Sequence, residues 1–236
     1  MQRRFYVDSP IQGLSVTIDG PDAHHISGVN RLKNGDLITL FDGSGKEFET
    51  KIVETSKKRV VVEVLAANEV SRESSINLTL AVALPKGDRQ KLLVEKLVEL
   101  GVNTLIPLQC ERSVSVASTN SLAKLERRVI EASKQCGRNR LMQIASQIRF
   151  SNFVEDCTIA NRFIAHPYNA DKRISQLAGN LTDSQGVVFA VGPEGGFSDA
   201  EVEAARSHGW TPVQLCDSIL RVETAATAAA AILCLK

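Results

Sequence analysis

The sequence between Gly186 and Ala231 is GVVFAVGPEGGFSDAEVEAARSHGWTPVQLCDSILRVETAATAAAA. It begins with an apolar run over 187–191, whose length and β-branched content predict a buried strand. GPEGG follows at 192–196, and its glycines allow positive φ angles and a close approach of the backbone to a ligand. Ser198 and Glu201 have the spacing of a capping box that opens a helix. A strand, a glycine loop and a helix N-terminus in succession are typical of sites for anionic or nucleotide-like ligands.

The loop differs from the two common nucleotide-binding patterns. No lysine follows the glycines, so the loop is not GxxxxGK[ST], and it also lacks GxGxxG. A phosphate-loop NTPase and an ordinary dinucleotide-binding protein are both disfavoured. A plain strand-to-helix turn is the remaining alternative, although GPEGG contains more special backbone than such a turn requires.

The composition is that of a globular protein of one or two domains. The chain has 236 residues, 43% of them hydrophobic, and a net charge of +1. We expect a cytoplasmic protein, because no apolar stretch is long enough to span a bilayer and the N-terminus lacks the apolar segment of a secretion signal. The five cysteines are scattered without a CxxC pair, which predicts free thiols and neither a metal site nor disulfides.

The positive charge is concentrated in the middle of the chain. Residues 73–154 contain 12 Lys and Arg against 7 Asp and Glu, whereas residues 155–236 contain 6 against 10. A polyanion would bind the basic middle part. A solvated charged surface is the alternative reading of the same pattern.

The hydrophobic pattern predicts two kinds of architecture. Short strand-like runs separated by turn signals fill the first 70 residues and predict a small barrel or sandwich, with one helix over 22–32. A polar linker over 68–75 follows. From Ile76 strands and helices alternate, which predicts a parallel α/β sheet. The predicted elements there are strands at 76–84, 104–108, 144–150, 162–166, 187–191 and 212–216, and helices at 88–100, 121–136, 171–178, 198–208 and in the alanine-rich stretch after Thr224.

Five segments resemble one family in the same order. GPEGGFSDAE at 192–201 and LRVETAATAA at 220–229 are similar to motifs of the bacterial 16S ribosomal RNA uridine-N3 methyltransferases, which belong to the SPOUT class. RRFYV at 3–7, the PKGDR…EKLVELGV…IPL region at 85–108 and ERSV…EASKQCGR at 111–138 agree as well. Each motif alone is modest, but together they extend over nearly the whole chain.

The resemblance implies an α/β protein with two domains. Residues 1–70 are expected to form a small PUA-like β-barrel that binds RNA. Residues 74–236 are expected to form a SPOUT-type parallel-sheet methyltransferase domain with a C-terminal trefoil knot. The resemblance also implies S-adenosylmethionine as cofactor, 16S ribosomal RNA of the small ribosomal subunit as substrate, N3-methyluridine as product, and a homodimer.

The predicted cofactor contacts lie at the carboxyl ends of strands, where ligands of open α/β sheets bind. Backbone groups of glycine loops can bind the adenine edge and the ribose, and apolar side chains can enclose the ring. The residues are His166, Pro167, Val191, Gly192, Pro193, Gly195, Gly196, Leu215, Cys216, Ile219, Leu220, Glu223 and Thr224.

Two residues are candidates for catalysis. Uridine N3 carries a proton, so the site needs a base, or a cationic donor to the carbonyl oxygens that favours the uridine anion. The LRVETA motif carries the family's arginine onto Arg221, which we take as that cation; its alternative is an ion pair with Glu223 or Glu194. Glu194 is the candidate base, and its alternative is to hold a neighbouring loop amide.

Proteins bind the RNA backbone through contacts of Lys and Arg side chains with its phosphates. The family's two histidines are here at His24 and His25, but the Leu-Arg pair that usually follows them is absent, so the motif does not fix the role of Arg31. For Phe5 and Tyr6 we favour a place in the barrel core over base stacking. The predicted RNA contacts are Arg3, Arg4, Arg31, Lys86, Arg89, Lys91, Arg112, Arg138 and Arg140.

Two other functions are compatible with parts of the pattern. One is a SPOUT methyltransferase acting on a ribose 2′-oxygen or on transfer RNA. The other is a non-catalytic RNA-binding assembly factor. The position of the barrel before the GPEGG loop disfavours a methyltransferase of the first kind. The intact loop and Arg221 disfavour an assembly factor without catalysis.

Overall fold

The chain divides into two compact units in a computed structural model that describes residues 3–114, 119–168, 170–177, 181 and 186–235. The first unit contains the described residues up to Glu73 together with Ser133–Leu141. The second contains the described residues of Ser74–Ala132 and those from Met142 onward.

The first unit is built on a five-stranded sheet. Its strands are β1 (Arg4–Tyr6), β2 (Ser15–Asp19), β3 (Leu37–Phe41), β4 (Lys46–Thr55) and β5 (Arg59–Glu69), in the spatial order β1-β3-β4-β5-β2. All neighbours are antiparallel except β1 and β3. Two register shifts bend β4 against β5. The sheet encloses a core of Phe5, Ile38, Leu40, Phe48, Ile52 and Val62, so Phe5 has the core position that the sequence favours.

A short helical segment packs on this core. Helix α1 (Gly20–His24) continues as a π-helical turn over His25–Val29, where a single helix over 22–32 is expected from the sequence. Ala23 and Ile26 are fully buried. Arg31 has a φ of 53° and is the one described non-glycine residue with positive φ. Because this left-handed conformation cannot continue a helix, the segment ends before Arg31.

A buried arginine attaches the segment Ser133–Leu141 to the first unit. The Arg4 guanidinium forms an ion pair with Glu47 at 3.1 Å and donates to the Arg138 carbonyl oxygen at 3.1 Å. Arg138 is itself buried and pairs with Glu73 at 2.5 Å. The predicted division into 1–70 and 74–236 stays a prediction and does not include this return of the chain to the first unit.

The second unit is built on a larger sheet in which every described pairing is parallel. The strands are β6 (Leu78–Val82), β7 (Thr104–Gln109), β8 (Gln143–Ile144), β9 (Ile148–Arg149), β10 (Asn161–Ala165), β11 (Lys172–Arg173), β12 (Val187–Val191) and β13 (Thr211–Gln214). Their spatial order is β11-β13-β10-β12-β6-β7-β8, and β9 also pairs with β7.

The helices of the second unit are α2 (Asp88–Glu99), α4 (Phe150–Asp156), α5 (Asp199–Ser207), α6 (Val222–Cys234) and α3 (Thr119–Cys136), whose last residues from Ser133 belong to the first unit. Helix α6 packs against α2, β6 and β12. Phe150 and Phe153 of α4 form a second cluster with Phe197 and Trp210. Every residue of β6 and β12 is buried, as expected for parallel strands with packed layers on both faces.

Two predicted elements of the second unit are wrong. The predicted strand at 144–150 consists of two very short strands, followed by helix α4, because Phe150 and Phe153 have helical spacing and pack on one core. The predicted helix at 171–178 is strand β11 and one 3₁₀ turn over Ile174–Gln176. Pairing of β11 with β13 holds Lys172 and Arg173 in an extended conformation. Ala178 lies outside the described residues.

Candidate active site

A cavity of about 230 Å³ lies in the second unit where three neighbouring parallel strands end. It is bordered by the loops that follow β10, β12 and β13, and by the start of α6. Ten of the predicted cofactor contacts line it: His166, Pro167, Val191, Gly192, Gly195, Gly196, Leu215, Cys216, Ile219 and Leu220. The structure therefore collects residues separated by up to 54 positions, His166 to Leu220, around one space.

Some predicted contacts are not among the lining residues, and some lining residues were not predicted. Pro193, Glu223 and Thr224 belong to the first group. The second group is Ala165, Tyr168, Ser218, Val222 and Ala225. Tyr168 directly follows the predicted His166-Pro167 pair, and Val222 and Ala225 are one helical turn apart at the start of α6. These positions were missed because no sequence pattern indicates which face of a loop or helix meets the cavity.

The glycine loop has a conformation that side chains would disturb. Gly196 has a φ of 69°, and its N–H donates to the Pro193 carbonyl oxygen at 2.8 Å. A Cβ atom on Gly192 would lie 2.9 Å from Cδ2 of Phe197. The Phe197 ring packs in turn on Phe150, with ring centroids 4.6 Å apart. Because this shaped backbone borders a cavity, a binding role is favoured over a plain turn.

The predicted capping box is confirmed at the start of α5. The Ser198 N–H donates to Glu201 Oε2 at 2.9 Å, and the Glu201 N–H donates to Ser198 Oγ at 3.3 Å. Neither residue lines the cavity. The loop backbone, and not the capped end of α5, is therefore the part of this motif that faces the cavity.

Arg221 lies at the N-terminus of α6 between two residues that line the cavity, Leu220 and Val222. Its side chain is exposed and forms no ion pair or side-chain hydrogen bond with any described residue. The ion pairs that the sequence offered as an alternative for Arg221 are made by Arg89 instead. Arg89 is 3.2 Å from Glu194 and 3.9 Å from Glu223.

The two carboxylates that pair with Arg89 have different surroundings. Glu194 lines the cavity and is partly exposed. Glu223 is buried in the first turn of α6, where the helix dipole favours a negative charge. Its Oε2 accepts no hydrogen bond from the described part of the chain. Arg89 and the start of α6 are therefore the described partners of the buried Glu223 carboxylate.

The His166 ring has a defined tautomer when it is neutral. Its Nδ1 contacts the carbonyl oxygen of Tyr168, and a carbonyl oxygen can only accept, so Nδ1 carries the proton. Nε2 is then left as a hydrogen-bond acceptor. His166 and Glu194 thus both present a hydrogen-bond acceptor among the described groups that line the cavity.

The predicted RNA contacts fall into different environments. Arg3, Arg31, Lys86, Lys91, Arg112 and Arg140 are exposed. Arg4 and Arg138 are only 6% and 3% exposed and are engaged in the ion pairs of the first unit, so we correct their predicted role from phosphate binding to structure. Arg89 is partly buried between Glu194 and Glu223.

Other kinds of site find no support in the described residues. No group of three or more His, Cys, Asp or Glu side chains is arranged to hold a metal ion within the described ranges. The five cysteines are free. None of the helices in the described part of the chain is long and apolar enough to cross a membrane.

Comparison with known families agrees with this geometry. A family described as RNA methyltransferase domain matches residues 72–234, and one described as RNA methyltransferase PUA domain matches residues 18–65. The chain is similar to Ribosomal RNA small subunit methyltransferase E of Synechocystis, at 32% identity over 92% of this chain and 72% of the relative. The Bacillus subtilis protein of the same name is 27% identical over 94% of this chain and 92% of its own length.

A solved structure extends the similarity to three dimensions. The Ribosomal RNA small subunit methyltransferase E of Neisseria gonorrhoeae, bound to S-adenosyl methionine, is 33% identical, with a TM-score of 0.87 over 98% of this chain and 96% of that chain. The predicted SPOUT-type parallel-sheet domain with a preceding PUA-like barrel is confirmed. The chain belongs to the RNA methyltransferase family that contains the Ribosomal RNA small subunit methyltransferase E proteins.

Proposed function

We propose that this protein transfers a methyl group from S-adenosylmethionine to N3 of a uridine in 16S ribosomal RNA of the small ribosomal subunit. The observation that carries the proposal is the cavity where the GPEGG loop, the segment after β13 and the start of α6 meet. The relatives named Ribosomal RNA small subunit methyltransferase E support methylation of small-subunit ribosomal RNA as the class of reaction.

The lining of the cavity suits the chemical groups of the cofactor. Leu215, Ile219 and Leu220 offer apolar surface for an adenine ring, and the backbone of 192–196 offers amides and carbonyls for its polar edge. The Glu194 carboxylate offers negative charge to a ligand with a net positive charge. When bound, S-adenosylmethionine supplies a methyl group on a positively charged sulfur.

The residues of this chain then have to align and activate the uridine. Methyl transfer requires the acceptor to be held in line with the donor. The Arg221 guanidinium is not engaged by any described residue, so it can donate to a uridine carbonyl oxygen without breaking an ion pair. Such a contact stabilises the uridine anion that forms when the N3 proton leaves. Glu194 is the carboxylate that lines the cavity and is our candidate for accepting this proton.

RNA binding, dimer formation and location complete the proposal. Exposed basic residues of the barrel, such as Arg3 and Arg31, bind the RNA backbone. The protein is a homodimer whose partner adds to the rim of the cavity. Large apolar side chains on that rim support this, since Tyr168 is 62% and Ile219 72% exposed. The protein works in the cytoplasm, where its ribosomal substrate is.

The experiment uses purified protein, labelled S-adenosylmethionine and two substrates. One substrate is small ribosomal subunits from a strain that lacks this gene, and the other is the RNA extracted from them. Nucleoside mass spectrometry identifies the product. N3-methyluridine supports the proposal, and a comparison of the two substrates shows whether an assembled subunit is needed. A methylated ribose or another methylated base overturns the target. Absence of both methylation and cofactor binding favours a non-catalytic assembly factor.

A further inference from the structure

A tight turn after β7 is fixed against the start of α5. In this turn, Cys110–Ser113, the Ser113 N–H donates to the Cys110 carbonyl oxygen at 3.1 Å, and the Cys110 N–H donates to Ser113 Oγ at 2.8 Å. The Glu111 N–H donates to Glu201 Oε1 at 2.9 Å. Because Glu201 also caps α5 with its other oxygen, the turn and the helix start share one carboxylate.

The turn places Arg112 on the glycine loop. Arg112 Nη1 donates to the Gly195 carbonyl oxygen at 2.9 Å and is 3.4 Å from the Phe197 carbonyl oxygen. The aliphatic part of the side chain packs on the same loop, since Cβ and Cδ of Arg112 are 3.4 Å from the position that a Cβ on Gly195 would take. Gly195 lines the cavity. Arg112 therefore holds backbone that borders the proposed cofactor site.

We infer that Arg112 is a positioning residue that fixes the glycine loop in the conformation that binds the cofactor. A loop with three glycines loses much conformational freedom when it becomes ordered. Hydrogen bonds from a charged donor are stronger than those between neutral groups. The donor, Arg112, is itself held in place by the turn that follows β7. The loop is therefore ordered before the cofactor arrives, which raises the affinity.

This role differs from the RNA contact that the sequence predicts for Arg112. An arginine that only binds phosphate does not change the affinity of the free protein for its cofactor. A positioning residue changes that affinity in the absence of RNA. The inference rests on the proposed placement of S-adenosylmethionine in the cavity.

The test is calorimetric titration of S-adenosylmethionine into the full-length protein without RNA. We expect Arg112→Ala to raise the dissociation constant about tenfold, the effect of losing one hydrogen bond from a charged donor. Arg112→Lys should recover part of the affinity, because an ammonium can still donate to the Gly195 carbonyl. The control is Arg127→Ala, which removes an exposed cation of α3 without a partner among the described residues and should bind like the wild type.

The second readout is the hydrogen exchange of the backbone amides in 192–197. These amides should exchange faster in Arg112→Ala and in Arg112→Lys than in the wild type. If Arg112→Ala does not fold, Arg112→Lys tests the inference alone, through its affinity for S-adenosylmethionine and the hydrogen exchange of its glycine loop. Wild-type affinity and loop exchange in the arginine variants, with weaker RNA binding, would overturn the inference in favour of a phosphate contact. Failure of the wild type itself to bind the cofactor would instead reject the proposed function.

Discussion

Arg89 forms an ion pair with Glu194 across 3.2 Å, joining the start of α2 to the glycine loop at the cavity. The same guanidinium lies 3.9 Å from the buried carboxylate of Glu223. Glu194 and Glu223 are thus paired with one arginine. The consequence is that Arg221, the candidate for contacting the uridine, is left available for substrate.

The availability of Arg221 leads to a first prediction. Arg221→Ala should retain the affinity for S-adenosylmethionine and lose methyl transfer by about 100-fold or more, the usual effect of removing a donor to developing negative charge. The measurements are calorimetric cofactor binding and single-turnover methylation of small subunits. Arg221→Lys, which keeps the charge, should be less affected than Arg221→Ala. Wild-type turnover in Arg221→Ala would contradict the assigned role.

The position of Arg89 leads to a second prediction, on stability. Arg89→Ala leaves the Glu223 carboxylate buried without a cation, so we expect the free energy of unfolding to fall by about 1–2 kcal/mol. The matched control is Lys91→Ala, which breaks only the exposed ion pair with Asp88 and should cost less than about 0.5 kcal/mol. Glu223→Gln should restore part of the stability of Arg89→Ala. Equal urea midpoints for Arg89→Ala and Lys91→Ala would show that Arg89 does not neutralise Glu223.

Two ion pairs of the first unit differ in burial and give a third prediction. Arg4 is buried, and its guanidinium stacks over the Phe41 ring at 4.2 Å as well as pairing with Glu47. Glu47→Ala should therefore destabilise the protein by about 3 kcal/mol, because it leaves a buried cation without its partner. Arg3→Ala, which breaks the exposed pair with Asp36, should cost less than about 1 kcal/mol.

Denaturant unfolding followed by circular dichroism measures both free energies of unfolding. Arg3→Ala and Arg4→Ala then separate structure from RNA binding. We expect Arg3→Ala to weaken RNA binding with little change in stability and Arg4→Ala to lose stability. The reverse pattern would refute the structural role that we give to Arg4.

A buried thiol gives a fourth prediction, on pH. Burial raises the pKa of the Cys110 thiol from 9.0 to about 12, and the nearby Glu201 carboxylate adds to the shift. Between these values the unfolded chain releases the proton and the folded chain keeps it, so the stability present below pH 9 is lost as the pH rises towards 12. The contribution is roughly 1 kcal/mol per pH unit. Over this range the free energy of unfolding should fall less steeply with pH in Cys110→Ala than in the wild type. Parallel pH profiles of the two proteins would contradict this prediction.

Local patterns were sufficient to predict the elements that define the site. The apolar run at 187–191, the capping box of Ser198 and Glu201 and the alanine-rich C-terminal helix all form as predicted. Each depends on residues within a few positions of one another. The sequence also predicts that the strand ends at His166, Gly192 and Leu215 lie close together, because the carboxyl ends of parallel strands meet at one edge of a sheet.

Long-range pairing could not be predicted in the same way. Arg89 and Arg112 look like any basic residues of the positive middle part of the chain, and only the fold brings Glu194 and Gly195 to them. The burial of Arg4 depends on a segment 134 positions away. Residues 171–177 carry a helical pattern, but pairing with β13 overrides that local preference.

The most direct test of the central claim is made in cells. The gene is deleted from its host, and 16S ribosomal RNA is digested and analysed by nucleoside mass spectrometry. We predict that N3-methyluridine in this RNA falls in the deletion strain, returns with the wild-type gene, and does not return with a gene encoding Arg221→Ala at an equal protein level. An unchanged amount of N3-methyluridine in the deletion strain, or full restoration by Arg221→Ala, would contradict the account.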